Sequence, residues 1–180
     1  MMVYILLAAG FEEAEALVPA DLLRRAGVEV ALVGVSEMAV TGGRGITVQC
    51  DCKLEEVDLD RAEMIMLPGG GVGVENLKNT PAVETLVKQA AGKELWLSAI
   101  CAAPTLLAGW GLLDGKKAVC YPTWADRLVG AQYCDGQKVI RQGKIITAQA
   151  AGAAFEFGIA LIEALVDEQT AQRVKQEIYL

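Results

Sequence analysis

The stretch Glu94-Leu95-Trp96-Leu97-Ser98-Ala99-Ile100-Cys101-Ala102-Ala103-Pro104-Thr105-Leu106-Leu107-Ala108 decides the fold. Its first half is an apolar run of strand length. Its second half opens a helix, since Pro104 suits a first helical turn, where a missing N–H costs nothing. Cys101 stands at the joint. A side chain on a sharp strand-to-helix turn projects at the carboxyl end of its strand, with the amides of the turn aimed at whatever it attacks. A helix N-terminus adds partial positive charge, which favours thiolate over thiol. The alternative is a small buried thiol packing like alanine, because free cysteines are among the most buried residues. The strand–cysteine–helix setting selects the reactive thiol.

Upstream of this unit, Met64 to Leu67 reads as another buried strand, ending in Pro68-Gly69-Gly70-Gly71-Val72-Gly73. A phosphate-binding loop would have Lys-Ser/Thr directly after its glycines, whereas Val74-Glu75-Asn76-Leu77 follows here. The cluster reads instead as a loop whose backbone approaches a neighbour closely and offers amides to it. Thr80 is placed to cap a helix with Pro81 at its first position, running to Ala91 and stopping at Gly92.

Near the N-terminus, Val3 to Ala8 forms a buried strand. Gly10 ends it, and a helix opens at Glu12 and runs to about Arg25, with Gly27 as its stop. Acidic residues in a first helical turn also stabilise the helix dipole, so Glu12, Glu13 and Glu15 have a purely local reading too. Val28 to Val35 is a second strand. Met38 to Gln49 is a hairpin turning at Gly42-Gly43, and Asp58 to Arg61 is a polar connection. Beyond the cysteine unit, Lys117 to Cys120 is extended. Val139-Ile140 and Ile145-Ile146-Thr147 form a hairpin, and helices cover Ala153 to Val166 and Asp167 to Gln176. Strands alternating with helices imply a largely parallel sheet covered on both faces, in one domain spanning 1–180. Ligands of such sheets bind beyond the carboxyl ends of the strands. The Glu12–Glu15 turn, the glycine loop and Cys101 are therefore expected to converge.

Composition narrows the function. A chain of 180 residues with 53% hydrophobic content is long enough to bury about 70% of its unfolded surface. The formal net charge of −7, with no basic stripe, argues against nucleic acid and anionic membrane surfaces as partners. No apolar run has the length of a membrane span, and Met1 to Gly10 lacks the basic start of a signal peptide. The five cysteines lack disulfide-framework spacing and fit a reducing cytoplasm. The sequence has no histidine, which removes Ser-His-Asp and Cys-His catalysis and HExxH zinc sites. Cys50-Asp51-Cys52 reads as two free thiols at a strand end; neither a metal nor a cofactor is expected. Cys120 is a marginal pocket candidate and Cys134 a loop thiol. Trp96, Trp110 and Trp124 read as core or interface bulk.

Gly10-Phe11-Glu12-Glu13-Ala14-Glu15, Asp21 to Gly27, Leu67-Pro68-Gly69-Gly70, Ala99 to Leu107 and Phe155-Glu156-Phe157, in this order, resemble the ThiJ/PfpI family, the DJ-one superfamily. The resemblance implies a flavodoxin-like, class I glutamine amidotransferase-like α/β sandwich that assembles as a homodimer. It implies that Cys101 is the easily oxidised cysteine, that Glu15 hydrogen-bonds it, and that the N–H groups of Gly70 and Ala102 face the oxyanion. Arg25 and Arg44 match arginines of a polar cluster near the dimer interface. Tyr121 stands where several members carry a histidine, and Ala148 to Ala153 departs from the family's Ser-Arg-Gly-Pro-Gly-Thr. Tyr121, Gly69, Gly71 and Gln149 are candidate pocket residues.

The activity implied is that of a cysteine-dependent stress protein acting on small aldehydes or glycated amines, as a glutathione-independent glyoxalase or a deglycase. The alternative is a redox sensor or chaperone whose Cys101 becomes a sulfinate. A role in thiazole biosynthesis lacks a phosphate cradle, and a Cys-His protease lacks its base. For Glu15 and Cys101 the expectation is one shared proton, held mainly by Glu15 at neutral pH.

Overall fold

The run Val3 to Leu7 is apolar at every position, the pattern of a strand covered on both faces, and it lies at the heart of the sheet. The computed structural model describes residues 2–180. The chain begins with β1 (Met2–Leu7), α1 (Glu13–Arg25) and β2 (Glu29–Gly34), then the short strands β3 (Ala39–Thr41), β4 (Thr47–Gln49) and β5 (Cys52–Lys53). Next come β6 (Ala62–Leu67), α2 (Gly71–Lys78), α3 (Pro81–Gly92), β7 (Trp96–Ile100) and α4 (Pro104–Gly109). The remainder is β8 (Lys117–Ala118), β9 (Gln132–Tyr133), β10 (Val139–Gln142), β11 (Ile145–Ala148), α5 (Ala154–Leu165) and α6 (Glu168–Glu177).

Seven strands form one sheet in the order β10-β11-β7-β6-β1-β2-β5, parallel throughout except for β10. Alternation along β1 divides the core. Val3, Ile5 and Leu7 pack with Leu22, Leu23, Phe157 and Leu161 of α1 and α5. Tyr4 and Leu6 face the opposite layer, with Leu77, Val83, Val87 and Leu106 from α2, α3 and α4. This is the α/β sandwich with helices on both faces that the alternation predicts. No helix among the described residues is long and apolar enough to cross a membrane.

The topology places the site. After β1 the chain moves to β2 on one side, and then returns to build β6 on the other. The order thus reverses between β1 and β6, where loops leave a crevice at the carboxyl rim. β7 lies beside β6, with Ala99 opposite Leu67, and beside β11, with Ile100 opposite Ala148. The turns after β1, β6 and β11 therefore all meet at the end of β7, where Cys101 follows.

Some local expectations change. The glycine loop is shorter than the sequence suggests, because Gly71 already begins α2. Two glycines in its first turn hide that helix, which forms because Val74 and Leu77 are buried against the sheet. The strand from Lys117 stops at Ala118 rather than Cys120 and pairs in parallel with β9, which lacks any sequence signal of its own. Thr80 precedes α3 but makes no side-chain cap. Its hydroxyl donates back to Asn76 O at 2.9 Å, leaving Pro81 to begin the helix. Asp167 does cap α6, accepting from Thr170 N at 2.6 Å.

The helix layer nearest the site depends on close approach of α1 and α5. A Cβ on Gly158 would lie 2.6 Å from Leu22 Cδ1 and 3.2 Å from Pro19 Cα. Gly158→Val should therefore destabilise the fold by about 2 kcal/mol through overpacking. A lower urea midpoint with unchanged slope is the expected readout, and an unchanged midpoint would show that the layer yields freely.

Candidate active site

Cys101 has φ of 65°, in the left-handed region where a side chain crowds its own carbonyl. Such a residue costs about 1–2 kcal/mol and persists only where neighbours hold it. Two main-chain hydrogen bonds hold it here. Cys101 N donates to Ala148 O at 2.9 Å, and Cys101 O accepts from Tyr121 N at 2.7 Å. The turn is therefore fixed by the end of β11 on one side and by the segment before Pro122 on the other.

The glycine loop supplies the second wall. A Cβ on Gly69 would lie 2.3 Å from Glu15 Oε2 and 2.6 Å from Cys101 Cβ, so only glycine lets the carboxyl and the thiol share this space. Gly69 N donates to Glu15 Oε2 at 2.9 Å. Gly70 has φ of 90°, and a Cβ there would meet Gly10 O at 2.4 Å. The turn after β1 locks onto this loop through Glu12 N to Gly69 O at 3.0 Å and Gly73 N to Gly10 O at 3.1 Å.

Glu15 projects from the first turn of α1 and is 1% exposed. Burial pushes its carboxyl up to about 7, opposed by its hydrogen bond with Cys101 and by the amides of Gly69 and Ala151. Burial likewise pushes the Cys101 thiol up, to about 12, helped by the charge and hydrogen bond of Glu15 and opposed by the amides of Gly70 and Ala102. A buried carboxyl and a partly buried thiol in hydrogen-bond contact cannot both ionise at ordinary pH. The pair releases one proton near neutrality and keeps the other far into alkali. In that single-proton state each partner faces two main-chain N–H groups, and the higher-lying thiol keeps the proton more than Glu15 does, against the expectation from the sequence. The sulfur becomes a nucleophile when the carboxyl holds the proton.

A cavity of about 350 Å³ opens over this pair. Cys101, Glu15, Gly70 and Ala102 line it together, as the sequence predicts, and so do Gly71 and Tyr121. Gly69 lies behind the wall, against Glu15. Gln149 does not line the cavity: its N–H bonds Lys138 O at 2.9 Å, and Ala150, Ala151 and Gly152 take that side. Arg25 pairs with Asp21 one helical turn away, at 2.8 Å, away from the cavity. Arg44 lines the mouth, 3.7 Å from Glu12. Cys120 is buried beside the site without lining it, its thiol directed at Tyr121 O.

Besides the Ala150–Gly152 segment, whose Ala151 amide faces Glu15, sequence reasoning missed two side chains. Trp124 lines the cavity rather than serving only as bulk. Its signal was the Tyr121-Pro122 pair, which starts a tight helical turn carrying the indole back towards Cys101. Glu13, 4% exposed, accepts from the N–H groups of Arg44 and Ile46 at 2.8 and 3.3 Å and so anchors the β3–β4 turn that carries Arg44.

A doubly covered parallel sheet ending in a strained, amide-cradled cysteine is the class I glutamine amidotransferase-like α/β fold with its nucleophile elbow. Within that class the chain belongs to the DJ-1/PfpI family, whose sequence profile matches residues 1–164. It is 34% identical over 172 residues to Protein dj-1beta of Drosophila melanogaster, covering 94% of this chain and 92% of that one. The crystal structure of Drosophila DJ-1beta superposes with a TM-score of 0.95 at 32% identity, covering 99% of this chain and 97% of the other. Protein DJ-1 homolog B of Arabidopsis thaliana is 38% identical over 174 residues; the match takes in 96% of this chain but spans only 40% of that protein. A Caenorhabditis elegans relative named glutathione-independent glyoxalase DJR-1.2 is 32% identical over 156 residues, covering 86% of this chain and 82% of it.

Two measurements test the shared proton. Glu15 binds its proton more tightly folded, near 7, than at its ordinary 4.5. The native state therefore holds the extra proton between these values, and stability should fall as pH rises through that window, by at most about 3 kcal/mol. Urea unfolding of wild type and Glu15→Gln should show that slope in the first and a flatter one in the second. Alkylation of Cys101 by iodoacetamide should rise near pH 7 in wild type. Its onset should move up by about one unit or more in Glu15→Leu, which keeps the burial and removes the proton partner, and by less in Glu15→Gln.

Proposed function

We propose that this protein acts on small reactive carbonyl compounds through Cys101, converting an α-oxoaldehyde such as methylglyoxal to its 2-hydroxy acid without glutathione. The observation that carries the reading is the pairing of an elbow thiol with a buried carboxyl in hydrogen-bond contact, under a cavity of a few small molecules' volume. The name of the Caenorhabditis relative supports the same chemistry.

The chemistry follows from the groups present. The thiolate adds to the aldehyde carbon, and the carbonyl electron pair moves to oxygen, facing the amides of Gly70 and Ala102. The oxygen takes a proton to give a hemithioacetal. Glu15 then removes the hydrogen from the former aldehyde carbon while the neighbouring carbonyl oxygen takes up a proton, giving an enediol bound through sulfur. Return of a proton from Glu15 to the neighbouring carbon, with loss of the proton from the adduct's own hydroxyl, leaves a thioester on Cys101, which water cleaves to the hydroxy acid and the free thiol. With no histidine in the chain and a tyrosine at position 121, Glu15 has to move both protons. On a glycated amine, the hemiaminal carbon exchanges its amine, which leaves with a proton, for the Cys101 sulfur, and the same hemithioacetal results. The same reading gives the protein a second copy of this chain as partner, with Arg25 and Arg44 near the contact, and a reducing cytoplasm to keep the thiol free.

A second reading has one observation in its favour. The donors around the sulfur, two amides and the Glu15 carboxyl, would equally hold the oxygens of a cysteine sulfinate, the state of an oxidation sensor. Hydroxy-acid formation from methylglyoxal by wild type and Cys101→Ser, followed by intact mass after mild peroxide, separates the two. Turnover that falls by about a thousandfold or more in the serine variant is expected. Equal rates would defeat the carbonyl reading. A selective gain of two oxygens at Cys101 with no turnover of any aldehyde would favour the sensor.

A further inference from the structure

We propose that Trp124 is the specificity-determining wall of the Cys101 cavity, sealing it from a second, larger groove and restricting the thiol to carbonyl compounds with a small substituent. The inference rests on the carbonyl reading above and adds the size class of the substrate.

Two cavities lie side by side on this rim. One, of about 350 Å³, contains Cys101 and Glu15. The other, of about 820 Å³, is lined by Leu106, Trp110, Asp126 and Arg127 among others, and holds none of the reacting groups. Trp124 alone among their lining residues belongs to both. Leu106 lies on α4, the helix that leaves the elbow, so the larger groove runs away from the thiol along that helix. Without the indole, a substituent on a bound carbonyl would have a further groove to enter, where Leu106 and Trp110 alternate with charged side chains such as Glu75, Lys78 and Asp126.

The wall is held in place. The Arg127 guanidinium stacks on the Trp124 ring, 4.0 Å from its centroid. Trp124 N donates to Tyr121 O at 2.8 Å, and Tyr121 N donates to Cys101 O at 2.7 Å. The indole is therefore tied to the elbow through three residues of backbone, and one face is occupied by a cation. A side chain fixed in this way acts as a size filter, because moving it would break the stack and strain the turn.

The test reads access to the sulfur directly. Alkylation rates of Cys101 are measured with iodoacetamide and with bulkier N-phenyl iodoacetamide, the thiolate displacing iodide in both. In Trp124→Ala the ratio of bulky to small rate should rise about tenfold, the scale on which a pocket wall discriminates. Trp124→Phe, which keeps a ring under Arg127, should stay close to wild type. A ratio in a folded Trp124→Ala within about twofold of wild type overturns the proposal. If that variant does not fold, as judged by circular dichroism, Arg127→Gln replaces it. Loosening the ring should raise the ratio in the same direction, and no change overturns the proposal. Turnover of methylglyoxal and phenylglyoxal then tests the substrate class. Wild type inactive on both defeats the carbonyl reading, with the alkylation ratio still deciding whether the wall exists. Wild type active on methylglyoxal, with Trp124→Ala no more active on phenylglyoxal, defeats the wall as a substrate filter alone.

Discussion

The constraint on which the site depends is the absence of a side chain at Gly69. Glu15 and Cys101 come from elements separated by 86 positions in sequence, and they can share a proton only if the loop between them leaves room. Any Cβ at that position would displace the carboxyl oxygen or the cysteine itself. Once the buried carboxyl and the partly buried thiol are forced together, their chemistry follows. One proton serves both, and the anion left behind needs donors at whichever site it occupies. Main-chain amides at Gly69 and Ala151 serve the carboxylate, and those at Gly70 and Ala102 serve the sulfur. Backbone donors suit this duty, since they are held by the fold and need no rearrangement when charge moves.

The sheet supports that arrangement at some energetic cost. The left-handed backbone of Cys101 is unfavourable for a residue with a Cβ, and it survives because hydrogen bonds from both flanks over-determine it. One flank is the end of β11, whose pairing with β7 is continuous up to Ala148 and Ile100. The other is the turn that also carries Tyr121 and Trp124. The groups that hold the nucleophile in place and the groups that shape its surroundings are therefore partly the same. A change in the Tyr121–Arg127 segment reaches the thiol through one hydrogen bond.

The charge around the mouth is similarly coupled to the fold. Glu13 is buried yet ionised, its carboxyl held below the ordinary range despite burial by the amides of the β3–β4 turn. Gly42 makes room for it, because a Cβ there would meet the Glu13 carboxyl at 2.4 Å. That anchoring brings Arg44 to the mouth, opposite Glu12. Three glutamates of one helical start thus do three different things. Glu12 lines the cavity opposite an arginine, Glu13 fixes a hairpin, and Glu15 shares a proton with Cys101.

Much of this was legible in the sequence, for reasons that are local. Val3 to Leu7, Met64 to Leu67 and Leu95 to Ile100 are apolar at nearly every position, the pattern of a doubly covered parallel strand. Gly or Pro soon after the first two, and the Cys101–Pro104 turn after the third, mark their ends. Pro104 after a strand and a cysteine marked the elbow, and resemblance in motif order supplied Glu15, Gly70 and Ala102 as its companions. Local signals failed where tertiary contacts override them. α2 forms through glycines because Val74 and Leu77 gain a buried face. β9 exists because β8 offers it an edge, and Thr80 turned its hydroxyl to Asn76 rather than to α3. Above all, Gln149, expected in the pocket, lies outside it, and Trp124, expected as bulk, lines it, since position on a rim does not say which way a side chain faces. Residue order fixed that the thiol would stand at the end of a strand. Only the packing of three loops at a reversal of strand order decided how dry its surroundings are, which amides face it, and which ring closes its pocket, because those depend on distances between segments far apart in the chain.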